Sequence, residues 1–215
     1  MKSGNLFAGA LASAICVLVG NAQAATVLDQ QFIPVTITSL AGFTDGSGFR
    51  RAQTFTVGIT GTLTEVDIFE ALGNTQQGFF GPFSGMNILS TSGGVPTFTV
   101  LGTGAFVSQS GGVATFSTSL PVTIGEVLAI EPILASTQEF NLWEAQQPSG
   151  YAGGTSFLKR VTDPQFLAEI QDNGFQTFVD VSTPLPGALP LFATGLGALG
   201  LLGWRRKRKL PVPAA

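Results

Sequence analysis

The sequence predicts an all-β domain, an antiparallel β-sandwich, set between two apolar chain ends. Three observations predict it. Alternation of polar and apolar residues recurs through the middle of the chain, as a half-buried strand requires. Glycine-bearing turn signals separate these runs at short intervals. The charged fraction is only 11%, while glycine (28) and phenylalanine (18) are abundant. Strands at such spacing point to a sandwich and away from alternating strands and helices.

Residues 1–24 read as a secretory signal peptide. Lys2 supplies the positive start and Leu6 to Val19 the apolar stretch. Ala22 and Ala24 are the small residues before an expected cut after Ala24. The only cysteine, Cys16, lies inside this segment, so the mature chain is expected to be free of disulfides.

Residues 25–182 form the predicted working domain. It holds four basic residues, Arg50, Arg51, Lys159 and Arg160, against all thirteen acidic ones, a formal charge of −9. Such a surface repels phosphates, which argues against nucleic acid and anionic lipid as partners. Histidine is absent altogether. That excludes Ser-His-Asp and Cys-His hydrolases, and zinc sites built on His or Cys. No Walker-type phosphate loop occurs, and Gly102-Thr103-Gly104 is too short for a dinucleotide fingerprint.

The strands can be placed in order. Gln53–Val57 sets Phe55 and Val57 on one face, and Thr64–Ile68 sets Val66 and Ile68 opposite two acids. Val113–Ser117 and Gly174–Val181 alternate likewise. Val127–Ile130 is continuously apolar, as a central strand is. Turns are expected at Asp45-Gly46, Ser92-Gly93-Gly94, Ser110-Gly111-Gly112, Ile124-Gly125-Glu126 and Asn173-Gly174. The one helix-like stretch is Pro164–Gln171, with Asp163 as its cap and a length that suits a turn as well.

Carboxylates and aromatics are the side chains left for chemistry. Glu126, Glu131, Glu139 and Glu144 cluster in sequence, and Asp67 and Glu70 make a second pair. A glycosidase needs two carboxylates about 5–9.5 Å apart, but no flanking motif marks these, and solvated strand faces explain them as well. Calcium would suit Asp and carbonyl ligands, yet no Asp-x-Asp-x-Asp loop is present, so neither metal nor cofactor is expected. Trp143 and Tyr151 flank a polar, Gly-rich loop with Asn141, Gln146 and Gln147 nearby, the combination of aromatic face and planar amide that holds sugars. The competing reading puts Trp143 in the sandwich core and Tyr151 over a loop. Phe79, Phe80 and Phe83 form an apolar loop expected to fold onto the sandwich, with a contact patch as the alternative.

The C-terminal end has three parts. Thr183-Pro184-Leu185-Pro186-Gly187 is followed by an uncharged apolar run from Ala188 to Trp204, and then by Arg205, Arg206, Lys207, Arg208 and Lys209. As a helix the run would rise about 25 Å, near the short limit for crossing a hydrocarbon core. The basic cluster would hold its end in the cytoplasm and the domain on the other side. Residues 210–215 continue as a short tail.

This order resembles the C-terminal sorting signals of the PEP-CTERM class, closest to the variant reading Val-Pro-Leu-Pro-Ala, though the positions flanking Pro-Leu-Pro differ here. The resemblance implies an exosortase-type processing enzyme, export through the Sec translocon and a transient stay in the inner membrane of a Gram-negative bacterium. Release or transfer to the cell surface would follow. A second resemblance runs from Gln53–Val57 and Gly61–Ile68 through Thr91–Pro96, Leu120–Ile130, Trp143 and Tyr151–Gly154 to Phe175–Val179. It is similar to the jelly-roll domains of galactose-binding-like and carbohydrate-binding modules. Together these imply a non-enzymatic, surface-sorted protein with a structural or matrix-associated role. A carbohydrate-binding module acting on exopolysaccharide is the alternative, and a glycoside hydrolase a remote one.

Overall fold

The computed structural model describes residues 24–36, 39–43, 48–70, 82–135 and 141–182, together with 195, 196, 199 and 200. Among these residues lie thirteen strands: β1 (Ala24–Phe32), β2 (Ser39–Phe43), β3 (Phe49–Thr56), β4 (Gly61–Phe69), β5 (Phe83–Ser92), β6 (Val95–Ser110), β7 (Val113–Val122), β8 (Val127–Leu134), β9 (Asn141–Gln146), β10 (Ser156–Arg160), β11 (Leu167–Ala168), β12 (Asp172–Asn173) and β13 (Phe175–Ser182). The protein is all-β and its ladders are antiparallel.

Ten strands run in the order β1-β13-β4-β7-β6-β5-β8-β3-β10-β11, and three more form the sheet β12-β9-β2. Strand β6 joins the two halves of the larger sheet. Its first part, from Val95 to Gly104, pairs with β5, and its second, from Ala105 to Ser110, pairs with β7. Three pairings are nested: β3 with β8, β4 with β7, and β5 with β6. The two halves face one another. Phe55 on β3 and Phe175 on β13 lie far apart in strand order, yet their ring centroids are 6.0 Å apart. Phe83 on β5 meets Phe116 on β7 edge-on at 5.1 Å. One buried cluster unites Leu63, Val66 and Ile68 of β4 with Ile88 of β5 and Leu128 and Ile130 of β8. This arrangement is consistent with a β-sandwich. Burying each such side chain contributes about 1.5–3 kcal/mol.

Local sequence explains the connections. Gly93-Gly94 and Gly111-Gly112 adopt positive φ at both positions, the geometry of a tight hairpin whose twist matches the strands. Added β-carbons would meet nothing at Gly93, Gly94 or Gly111, so backbone conformation, not space, requires glycine there. The Pro164–Gln171 stretch is not a helix. Phe166 is drawn into a small buried cluster with Ala52, Leu89, Ala129 and Phe157, and Leu167–Ala168 then pairs with β10 as a short strand. Tertiary burial of one aromatic ring outweighs the local cap and proline signals.

The chain divides into a compact unit, Ala24–Ser182, and a second unit made of the two chain ends. The first begins and ends on one ladder, with Ala24 opposite Ser182. Ala22 and the rest of the apolar N-terminal stretch lie outside the described residues. So do Asp45-Gly46, Phe79, Phe80, Glu139, Pro184, Leu185, Pro186, Gly187 and Arg205, Arg206, Lys207, Arg208 and Lys209. In the second unit residues 195–196 and 199–200 are helical. Among the described residues no helix is long and apolar enough to cross a membrane.

Candidate functional site

The predicted aromatic pair does not make a surface. Trp143 sits on β9 with Ala145 on the same, core-facing side, and it is fully buried. Its indole Nε1–H donates to the Gly174 carbonyl at 2.6 Å, and its ring meets Phe43 edge-on at 6.2 Å. A ligand has no access to it, and the expected contact at Trp143 is corrected to a core position. Tyr151 is half-buried against Phe175 and Phe32, with centroids 5.2 and 6.1 Å away. Its hydroxyl donates to Gln30 Oε1 at 2.9 Å. Burial pushes the phenol up to about 12, with Asp29 and Asp172 adding to the rise against an opposing backbone hydrogen bond at Thr56. Tyr151 thus locks its loop to β1 and presents little free surface.

Asp172 explains why that loop is fixed. Its Oδ2 accepts from the backbone N–H groups of Gly150 and Tyr151, each at 2.8 Å. Next to it, Asn173 donates through Nδ2 to Ser156 Oγ at 3.0 Å, and its backbone N–H donates to Gln53 Oε1 at 2.8 Å. Ser156 in turn donates to Glu169, which also pairs with Arg51. Gln53, Ser156, Asp172 and Asn173 are all fully buried. They form a polar seam that ties β12 to β3 and β10. Sequence reading missed it, because no local pattern shows which polar residues a topology will bury.

The predicted carboxylates are dispersed into separate tasks. Glu131 is buried and receives Arg50 on both oxygens, at 2.5 and 2.7 Å, with Asn87 Nδ2 at 3.2 Å. Glu70 is buried between two carboxamides, Gln109 and Asn141, each 2.5 Å away. Asp67 follows the polar side of β4, between the core residues Val66 and Ile68. Glu126 accepts from the backbone of Thr123 at 3.2 Å, beside a shallow cleft of about 360 Å³ lined by Ser90, Thr91, Leu101 and Leu128. Among the described residues no group of His, Cys, Asp and Glu has the arrangement of a metal site.

A different surface gathers exposed chemistry. The four cations of the domain come from two doublets, Arg50-Arg51 and Lys159-Arg160. The β3–β10 ladder brings them together, with Arg50 opposite Lys159, Arg51 opposite Leu158 and Phe49 opposite Arg160. Phe98, on β6, is 52% exposed. The Arg50 Cζ and the Lys159 Nζ each lie 5.5 Å from its ring centroid, within cation–π range. Phe166 stacks behind at 5.9 Å and meets Arg50 at 5.4 Å. Glu131 holds the Arg50 guanidinium in place and keeps it charged, raising its already high pKa. The doublets are visible in the sequence; their pairing is the signal that only strand register supplies. No family model matches the chain, and comparison with curated proteins finds no similar one.

Proposed function

We propose that the chain is an exported, surface-sorted and non-enzymatic protein of an exosortase-type system, with a structural or matrix-associated role outside a Gram-negative cell. The observation that carries this reading is the order of the C-terminal end: Pro184-Leu185-Pro186, the uncharged run and the five cations Arg205–Lys209. A Sec signal peptide ending at Ala24 supplies the matching N-terminal step. Support comes from the compact unit, whose first and last residues, Ala24 and Ser182, adjoin the two expected cuts. Among the described residues, neither cut would remove a member of the core. The domain itself is read as a jelly-roll, which the nested pairings of β3 with β8, β4 with β7 and β5 with β6 favour.

The test is intact-mass analysis of the exported protein from an exosortase-positive host and from the same host lacking the enzyme. The positive host should yield a chain trimmed near residue 25 and near residues 184–188. The deficient host should retain the C-terminal end. A chain ending at Ala215 in both would make the protein a permanent single-pass membrane protein. The second reading, a carbohydrate-binding module acting on exopolysaccharide, is favoured by the exposed Phe98 ring on a sheet face. Trp143 and Tyr151 do not favour it. A glycosidase reading would require turnover of a polysaccharide that vanishes with Glu144→Gln or Glu131→Gln.

A further inference from the structure

We infer that the face carrying Phe98, Lys159 and Arg50 is a binding surface for an anionic polysaccharide bearing carboxylates on its sugar rings, less densely charged than nucleic acid. The inference rests on the matrix-associated reading and gives that role a contact. Thirteen acids share this domain with four cations, and all four cations occupy one two-stranded ladder. Scattered cations would serve an acidic protein's solubility equally well. Gathering them costs repulsion: Arg51 is held below its ordinary pKa chiefly by burial, and the neighbouring Arg160 adds to that against the attraction of Glu169. Arg50 and Arg51 are each matched by a carboxylate, Glu131 and Glu169. Lys159 and Arg160 are not; among the described residues neither makes an ion pair. The Lys159 ammonium donates only to the Arg160 carbonyl, at 3.2 Å, and Asp163 accepts the Arg160 backbone N–H. Of these, Lys159 stands beside the half-exposed Phe98 ring together with Arg50, and Arg160, the next residue on β10, leaves from the other side of the strand.

That combination fits one ligand chemistry. A sugar ring has an apolar face that packs against the exposed part of Phe98, and a ring carboxylate would reach Lys159 alongside it. The rest of the domain selects the charge density. A formal charge of −9 opposes nucleic acid, which carries about one charge per 1.7 Å, and a densely anionic bilayer. It opposes a polyuronate less, because one carboxylate per sugar ring is a lower charge per unit length, and screening limits the repulsion from distant acids to about 8 Å at physiological salt.

The test uses the full chain in mild detergent, with polygalacturonate, neutral dextran, phosphatidylserine vesicles and duplex DNA as probes. Polygalacturonate should bind, more weakly as salt rises, and dextran should not. Lys159→Glu should lose about tenfold in affinity with its melting temperature unchanged, Phe98→Ala should lose severalfold, and Arg160→Glu, on the other side of β10, should lose much less. A further variant with Arg205–Lys209 all changed to Gln removes the tail cations and should retain the binding. Polygalacturonate binding that survives Lys159→Glu, or that the tail variant abolishes, overturns the inference. Preference for vesicles or DNA overturns it too, in favour of a phosphate-bearing partner, and equal binding of dextran in favour of a neutral-sugar face. These readouts are separate from the sorting test. A chain that binds polygalacturonate yet keeps its tail in every host refutes the sorting alone.

Discussion

Trp143 shows how a residue's role follows from its neighbours. In Asn141-Leu142-Trp143-Glu144-Ala145, alternation sets Trp143 on the side of Ala145 and away from Glu144. That pattern favours the core, and the glycine-rich loop that follows carries the competing signal of a sugar site. Composition near a residue says nothing about which face it takes; the strand period does. The single polar group of the indole is satisfied by Gly174, so the core loses nothing by holding it. Trp143→Phe should destabilise the fold by about 2 kcal/mol, from a partial cavity and the lost indole hydrogen bond to Gly174, whose carbonyl still accepts from the Phe69 N–H, and Trp143→Ala by about 3–5 kcal/mol. Chemical denaturation measures both. Polygalacturonate affinity of the folded Trp143→Phe protein should match the parent, because Trp143 lies in the core and makes no part of the Phe98 face. A selective loss of binding without loss of stability would return Trp143 to the ligand site.

At the scale of elements, most strands were legible and the connections between distant ones were not. Gln53–Val57, Thr64–Ile68, Val113–Ser117, Val127–Ile130 and Gly174–Val181 fall within strands except for Val57 and Gly174 at their ends, because the apolar pattern that marks them also buries them. The Gly-Gly turns were legible because positive φ at two positions leaves few other choices. Register between β3 and β10 was not, since the two strands are separated by about a hundred residues and no local signal encodes their pairing. The candidate surface was therefore present in the sequence as two doublets with no reason to join them. The loop before β10 illustrates the same limit. Thr54 and Thr155 bond reciprocally: Thr155 N–H donates to Thr54 Oγ1 at 2.8 Å, and Thr54 N–H donates to the Thr155 carbonyl at 2.9 Å. Thr56 Oγ1 donates to the Gly153 carbonyl at 2.8 Å. Between them Gly154 lies so close to β3 that a β-carbon would collide with the Thr54 carbonyl oxygen. Backbone cannot yield as a side-chain tip does. Gly154→Ala should therefore cost at least about 1–3 kcal/mol and loosen the loop. A melting temperature equal to the parent's would mean that the loop sits farther from β3. Amide exchange at Gly150 and Tyr151, the donors to Asp172, would report the loosening directly.

The whole molecule carries its acids in an unusual balance, and this sets how its stability depends on pH. Asp29, Glu65, Asp67, Glu70, Glu144 and Asp172 all have pKa values raised above the ordinary carboxylate range, and burial is the largest cause in each. Ion pairs usually depress carboxyl groups in a fold; here two amides face Glu70 and backbone N–H groups face Asp172, and neither set outweighs desolvation. A raised carboxyl holds its proton in the fold at a pH where the unfolded chain has released it. Its contribution is therefore complete below the unfolded values, about 3.8 for Asp and 4.5 for Glu, and is lost as pH rises through the higher folded values. Self-repulsion of a domain at −9 acts in the same direction. Melting at pH 5 should accordingly exceed melting at pH 8, the reverse of a protein held by salt-bridged acids. Glu70 and Asp172, the buried members, should contribute most to this difference. Glu70→Gln isolates one of them. Asn141 Nδ2 can donate to the new carboxamide oxygen, and Gln109, turned over, can accept from its nitrogen, so no partner is stranded. The variant should melt no lower than the parent at pH 8 and show a smaller gain on acidification. A parent that melts higher at pH 8 than at pH 5 would mean that these carboxylates are ionised and compensated in the fold.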